Sequence, residues 1–319
     1  MSNITLDGRI EIECNLSYDN SSENIKFAVQ FVYLLFAILI HLLILRTVLW
    51  KDWKVYRSNS FFMIYALDSI GILITISIDI LFGRPFMFIP QLCPILSPLF
   101  FDPSIFMKTV FIIGNYTRAA KSITQIMMSI NRMTCVIFPM NYITIWKKYL
   151  KIAIIITLLS PFLIIWNLFP SRVYILPSRG GFSIMYERYV KWASLSLFHL
   201  IYLALAIIIT IISTIITLTY LLMLPMRLKS AEKSLCFVNI TISISFIINA
   251  SFQSLFAFFT LLDAGTLFIL QFFGYDFLNL TSPIVLILIS PQLREHIFNR
   301  KKMFRNVPLK VSDTQNGVN

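Results

Sequence analysis

The chain has 319 residues, of which 57% are hydrophobic and only 13% charged, and its formal net charge is +12. A soluble chain of this length carries about 25% charged residues and folds as about two domains, so the composition excludes an ordinary soluble enzyme and leaves a membrane-embedded bundle. The excess of base is not a nucleic-acid signal, because the Lys and Arg residues sit in short loops beside long apolar stretches, where they meet anionic lipid.

Residues 1–26 read as an extracellular segment. They are acidic (Asp7, Glu11, Glu13, Asp19, Glu23) and lack the basic start and apolar run of a cleaved signal peptide. They carry three glycosylation sequons, at Asn3, Asn15 and Asn20. A helix needs about 20 apolar residues to cross a hydrocarbon layer of roughly 30 Å. Seven stretches qualify, at 27–49, 60–82, 104–130, 152–169, 192–224, 235–262 and 266–289, so a bundle occupies 27–290. The fifth stretch is longer than a bilayer requires and is expected to project into the cytoplasm. The sequons at Asn115, Asn239, Asn249 and Asn279 fall inside these stretches and are set aside. The tail, 291–319, opens with Leu293, Ile297, Phe298 and Phe304 among Arg294, Arg300, Lys301, Lys302 and Arg305, the pattern of an amphipathic helix lying on the inner leaflet.

Charge sets the orientation. Seventeen of the 27 Lys and Arg residues follow stretches one, three, five and seven, and seven lie on the opposite side, Arg84 and Arg172 among them. Retained positive charge marks the cytoplasm. The expected fold is an all-α membrane protein, a seven-transmembrane bundle with its N-terminus outside and its C-terminus cytoplasmic. Cys14 and Cys93 then both face the oxidising side and are expected to form a bridge; the alternative is two free or differently paired thiols. Cys135 and Cys236 lie at cytoplasmic ends and should stay reduced.

Six ionisable residues fall inside the stretches: Asp68, Asp79, Lys108, Arg118, Lys121 and Asp276. Each is costly in a bilayer unless paired or hydrated, and three acids with three bases suggest pairing. At about 1.5 Å per residue, Asp68 and Lys121 reach similar depth, Arg118 lies near the level of Asp276, and Asp79 and Lys108 lie near the outer end. The set is read as a network that rearranges on activation; the alternatives are static pairs or side chains snorkelling to water.

No phosphate-binding glycine loop, metal-spaced cluster or nucleophile arrangement is present, so neither an enzyme nor a cofactor is expected. Aromatic and amide residues gather in the outer halves of stretches five to seven: His199, Tyr202, Gln253, Phe256, Phe259, Phe268, Gln271, Phe272 and Tyr275. A mostly apolar cavity with a few polar groups is what a small-molecule site requires, although packing alone would also account for most of the phenylalanines. An unpaired Asp276 would select a cationic ligand, whereas pairing with Arg118 would remove that preference.

Just after stretch three the sequence reads Asn131-Arg132-Met133-Thr134-Cys135-Val136-Ile137-Phe138-Pro139, then Tyr142, with Trp146 before stretch four. Arg179-Gly180-Gly181-Phe182 and Val190-Lys191-Trp192-Ala193-Ser194 lead into stretch five, and Ser58-Asn59-Ser60-Phe61-Phe62 opens stretch two. Together these resemble the nematode serpentine receptor class gamma family of chemoreceptors, over roughly 27–300. The resemblance implies a G-protein-coupled-receptor-like protein of the plasma membrane of sensory cells, with a small-molecule ligand and a heterotrimeric G protein as partners. Asn131, Arg132 and Met133 occupy the coupling position, where Arg132 is expected to face the G protein; the alternative is a plain cytoplasmic charge. The match to rhodopsin-like receptors is poor: the acidic neighbour of Arg132 is missing, and Asn279-Leu280-Thr281-Ser282-Pro283 replaces the usual motif of the last span. The competing reading is a transporter or ligand-gated channel that uses the intramembrane charges, which the charge count and the lack of repeats oppose.

Overall fold

The computed structural model describes residues 13–14, 18–178, 180–223, 230–258 and 264–298. The sequons Asn3 and Asn15, and Phe304 with its basic neighbours, lie outside these residues. Among the described residues seven helices have 18 or more residues: α1 (Asn20–Arg46), α2 (Ser60–Ile78), α3 (Ile105–Ile137), α4 (Tyr142–Leu159), α5 (Leu195–Met223), α6 (Ser230–Phe258) and α7 (Ala264–Ile289). A short α8 (Pro291–Phe298) follows. Five helices are long and apolar enough to cross a membrane by themselves, and a sixth is if Pro90–Phe100 counts with α3. α3 is less apolar because it carries Lys108, Arg118, Lys121 and Arg132, and α6 keeps a shorter apolar stretch, Ile240–Leu255.

Polar side chains start the helices by accepting from their orphan first-turn N–H groups. The Asp19 carboxylate accepts from Ser21 N (3.1 Å) and Ser22 N (3.3 Å), Asn59 from Phe61 N (3.1 Å), and Ser104 from Met107 N (3.4 Å). The exposed Asn20 therefore sits in the first turn of α1. Stretch two does not stop at 82. It passes through a π-helical turn, Asp79–Gly83, and runs on as Arg84–Phe88. Stretch five begins three residues later than expected, because Trp192, Ala193 and Ser194 precede the helix; α5 has 29 residues.

α3 is the central element, packing on α2, α4 and α5, while α6 packs against α5 and α7, and α1 against α2 and α7. Large apolar side chains such as Ile152, Ile155 and Leu159 of α4 and Ile208, Ile212 and Ile215 of α5 are exposed on the outside of the bundle. Such a surface suits lipid, and helices suit lipid because they satisfy their own backbone groups.

Between α4 and α5 the chain forms an antiparallel hairpin that the hydropathy pattern did not predict: β1 (Arg172–Ser178) pairs with β2 (Gly181–Glu187), from Arg172 opposite Glu187 to Ser178 opposite Gly181. Its two-residue turn uses Gly180 at φ 82°, a left-handed value that glycine adopts without penalty. Gly181 lies so close to the end of the α2 extension that a Cβ there would stand 2.1 Å from the Phe86 carbonyl oxygen. Val173, Ile175 and Phe182 turn inward, and Ile175 and Phe182 join Phe86, Cys93 and Met107 in a small core under the hairpin. Cys14 and Cys93 form a disulfide there, with Cα atoms 5.9 Å apart. At the other end of the bundle α8 folds back. Its Leu293 is fully buried, and His296 meets Tyr56 (3.0 Å).

Candidate functional site

Three ion pairs, each with a buried carboxylate, climb the bundle from its middle toward the hairpin end. Lys121 Nζ donates to Asp68 Oδ2 at 2.5 Å, and Thr124 Oγ1 donates to the other carboxylate oxygen at 2.5 Å. Arg118 Nη2 donates to Asp79 Oδ1 at 2.6 Å. Arg84 Nη2 donates to Asp276 Oδ1 at 2.7 Å, while Arg84 Nη1 donates to Gln30 and the Tyr33 hydroxyl to Asp276 Oδ2. The first two pairs join α2 to α3. The third joins the α2 extension to α1 and α7.

Asp276 is therefore partnered by Arg84 and not by Arg118, and Arg84 is no loop residue. The π turn explains both corrections. On an uninterrupted α-helix, five residues place Arg84 about 140° round from Asp79. One extra residue in the turn takes off about 100°, leaving both side chains on the bundle-facing side. Arg84 is then 1% exposed and lies 4.2 Å from the Phe272 ring centre. Lys108 stands apart from the ion pairs; its Nζ donates to the Phe169 carbonyl at 2.5 Å.

Two adjoining cavities lie under the hairpin. The larger, about 230 Å³, is bounded by α3, α5, α6, α7 and β2. Phe111, Asn115 and Arg118 line it from one face of α3, as their i, i+4, i+7 spacing dictates. His199, Gln253 and Gln271 line it from the other helices, and Ile184, Met185 and Tyr186 close it from above. The smaller, about 80 Å³, shares Phe111, Arg118, Phe268 and Gln271 and adds Asp79, Phe272 and Tyr275. Gln271 Nε2 donates to Gln253 Oε1 at 2.7 Å across α6 and α7. His199 is 9% exposed, and its Nε2 has no hydrogen-bond partner.

Of the residues expected in a ligand pocket, His199, Gln253, Gln271 and Tyr275 come together here. Tyr202 does not line either cavity; it packs with Leu195, Phe198 and Tyr116 between α3 and α5. The Phe256 side chain lies outside the described residues.

At the α8 end, Asn131 and Arg132 form a second polar knot. Asn131 Nδ2 donates to Ser60 Oγ (2.6 Å), and Asn131 Oδ1 accepts from Arg132 Nη2 (2.7 Å) and the Tyr142 hydroxyl (3.0 Å). Arg132 lies over the Phe61 ring at 4.2 Å and is 3% exposed. Arg132, expected to face the G protein, is folded into the bundle here by Asn131, Tyr142 and Phe61. Met133 remains half-buried beside it.

A family model described as Srg family chemoreceptor matches residues 27–297. The chain belongs to that family. It is 47% identical over 285 residues to serpentine receptor class gamma-16 of Caenorhabditis elegans, covering 89% of this chain and 88% of the relative. To serpentine receptor class gamma-5 of the same organism it is 44% identical over 292 residues, covering 91% and 90%. The protein is a multi-pass membrane chemoreceptor of G-protein-coupled-receptor-like type, and the transporter or channel reading is not favoured.

Several residues of this Srg receptor's sites escape sequence reasoning. Arg84, Tyr33 and Gln30 complete the Asp276 cluster, and Ile184, Met185 and Tyr186 roof the cavity. Arg84 was hidden by the change of helical phase. The hairpin left a weak signal, two runs with β-branched and aromatic residues separated by a glycine turn.

Proposed function

We propose that the receptor crosses the membrane seven times, with residues 1–26 outside and the tail from 291 in the cytoplasm, in the plasma membrane of a sensory cell. A small organic ligand occupies the cavity beneath the hairpin, in contact with His199, Gln253, Gln271 and Tyr275. A heterotrimeric G protein engages the opposite end, where Asn131, Arg132 and Met133 lie. The observation that carries this reading is the buried, unpartnered His199 Nε2 beside a 230 Å³ cavity. A buried polar nitrogen without a partner costs about 1–3 kcal/mol, a cost that a ligand hydrogen bond relieves. Arg118 lines this cavity and is paired with Asp79, so ligand contact at Arg118 bears directly on the packing of α2 against α3. The sequons Asn3, Asn15 and Asn20 belong to the outer segment and are glycosylated there.

Coupling is tested in cells that express the full chain together with dissociation sensors for each Gα class. A basal signal above that of empty cells, lost in Arg132→Ala at unchanged surface level, is the expected result. Absence of signal with every class contradicts coupling.

A further inference from the structure

The cavity's wall chemistry narrows its ligand further, on the reading above that the cavity is the ligand site. Among the described residues, two guanidinium groups line it and no carboxylate does: Arg118, whose side chain is 18% exposed, and Arg188, which is exposed beyond the end of β2. Asp79, in the adjoining cavity, bonds to one Arg118 nitrogen. Counting Asp79, the described wall still carries one positive charge in excess.

The donors are also unspent. Arg118 Nε is buried without a partner, and Arg188 makes one long bond, to the Lys191 carbonyl at 3.3 Å. His199 Nε2, likewise unpartnered, lines the same cavity and donates there in the tautomer that carries its proton on Nε2. Asp276, the acid that would draw a cation if it were free, is already held by Arg84 and Tyr33. Beside the polar groups the walls are apolar and aromatic, with Phe111, Ile184, Leu195 and Phe268.

We infer that the cavity binds a small organic acid, its carboxylate held between Arg118 and His199, its apolar body on Phe111 and Phe268, and its approach guided by Arg188. A guanidinium recognises a carboxylate through charge-assisted, often bidentate hydrogen bonds, about twice as strong as neutral ones. An amine would meet net positive charge, and an amide would leave that charge unanswered.

The test uses the purified full chain in lipid nanodiscs. The probes are matched triplets of carboxylate, primary amide and primary amine on the same aryl or alkyl body, with a long-chain fatty acid alongside, and the readout is the shift in melting temperature on titration. Carboxylates are expected to stabilise the receptor, with the matched amides and amines at least tenfold weaker. Arg188→Gln, an exposed position that does not threaten folding, and His199→Gln are expected to weaken carboxylates about tenfold, and Arg118→Gln to abolish their effect. If amides or amines match or exceed the acids in a manner still dependent on His199, the cavity reading stands and the organic-acid inference fails. Stabilisation by the long-chain acid alone assigns the carboxylate to a bilayer lipid and also overturns it. If no triplet member stabilises the receptor, or if none of the three substitutions changes the response, the cavity reading itself fails.

Discussion

Asp68 is 3% exposed and has one full charge to neutralise, which Lys121 Nζ does from 2.5 Å while Thr124 occupies the second oxygen. Removing one partner of such a pair leaves an uncompensated buried charge and costs about 3–5 kcal/mol. Asp68→Lys or Lys121→Asp alone is therefore expected to lower surface expression by an order of magnitude or more. The double exchange should recover part of it, as measured by surface labelling of a tagged receptor. If the double variant is no better than the singles, the pair does not supply the stability assigned to it. This pairing was legible in the sequence because both residues sit on regular helices, where depth follows from about 1.5 Å per residue. The partner of Asp276 was not. It depended on the π turn at Asp79–Gly83, a local change of phase that hydropathy does not encode. Arg132 shows the same limit in another form: its place at the end of α3 was readable, but its burial by Phe61, Asn131 and Tyr142 depends on side-chain partners from three elements.

At the scale of elements, the long helices were largely visible as apolar runs, with errors of a few residues where a cap or turn sets the boundary. The hairpin was not, since its strands are seven residues each and half-buried against the helix ends. It matters because it supplies the cavity roof and rests on the core that contains the Cys14–Cys93 bridge. That bridge closes a loop with a sequence separation of 79 residues, for which the chain-entropy treatment gives about 4–5 kcal/mol of stabilisation. Cys14→Ser with Cys93→Ser is expected to lower the melting temperature of the detergent-purified receptor and to remove the sensitivity of the parent to reductant. Identical melting of parent and variant, with and without reductant, would show that the bridge does not brace this end. Tyr56, in the short helix between α1 and α2, has its hydroxyl pKa raised by burial and by the nearby Asp52 carboxylate, so it stays protonated at neutral pH and remains able to donate toward His296.

For the whole molecule, polar groups gather at two levels joined by a ladder of charge. The hairpin end holds a cavity with unsatisfied donors, the middle holds the ion pairs, and the α8 end holds the Asn131–Arg132 knot. This arrangement serves a receptor only if the cavity faces outward and the knot faces the cytoplasm, and the distribution of Lys and Arg supports that direction, 17 against six once the buried Arg84 is set aside. The measurement that tests this most directly places one epitope tag at each terminus and probes intact and permeabilised cells. The account predicts an N-terminal tag accessible on intact cells and a C-terminal tag accessible only after permeabilisation. An N-terminal tag hidden until permeabilisation would put the cavity on the cytoplasmic side and contradict the account.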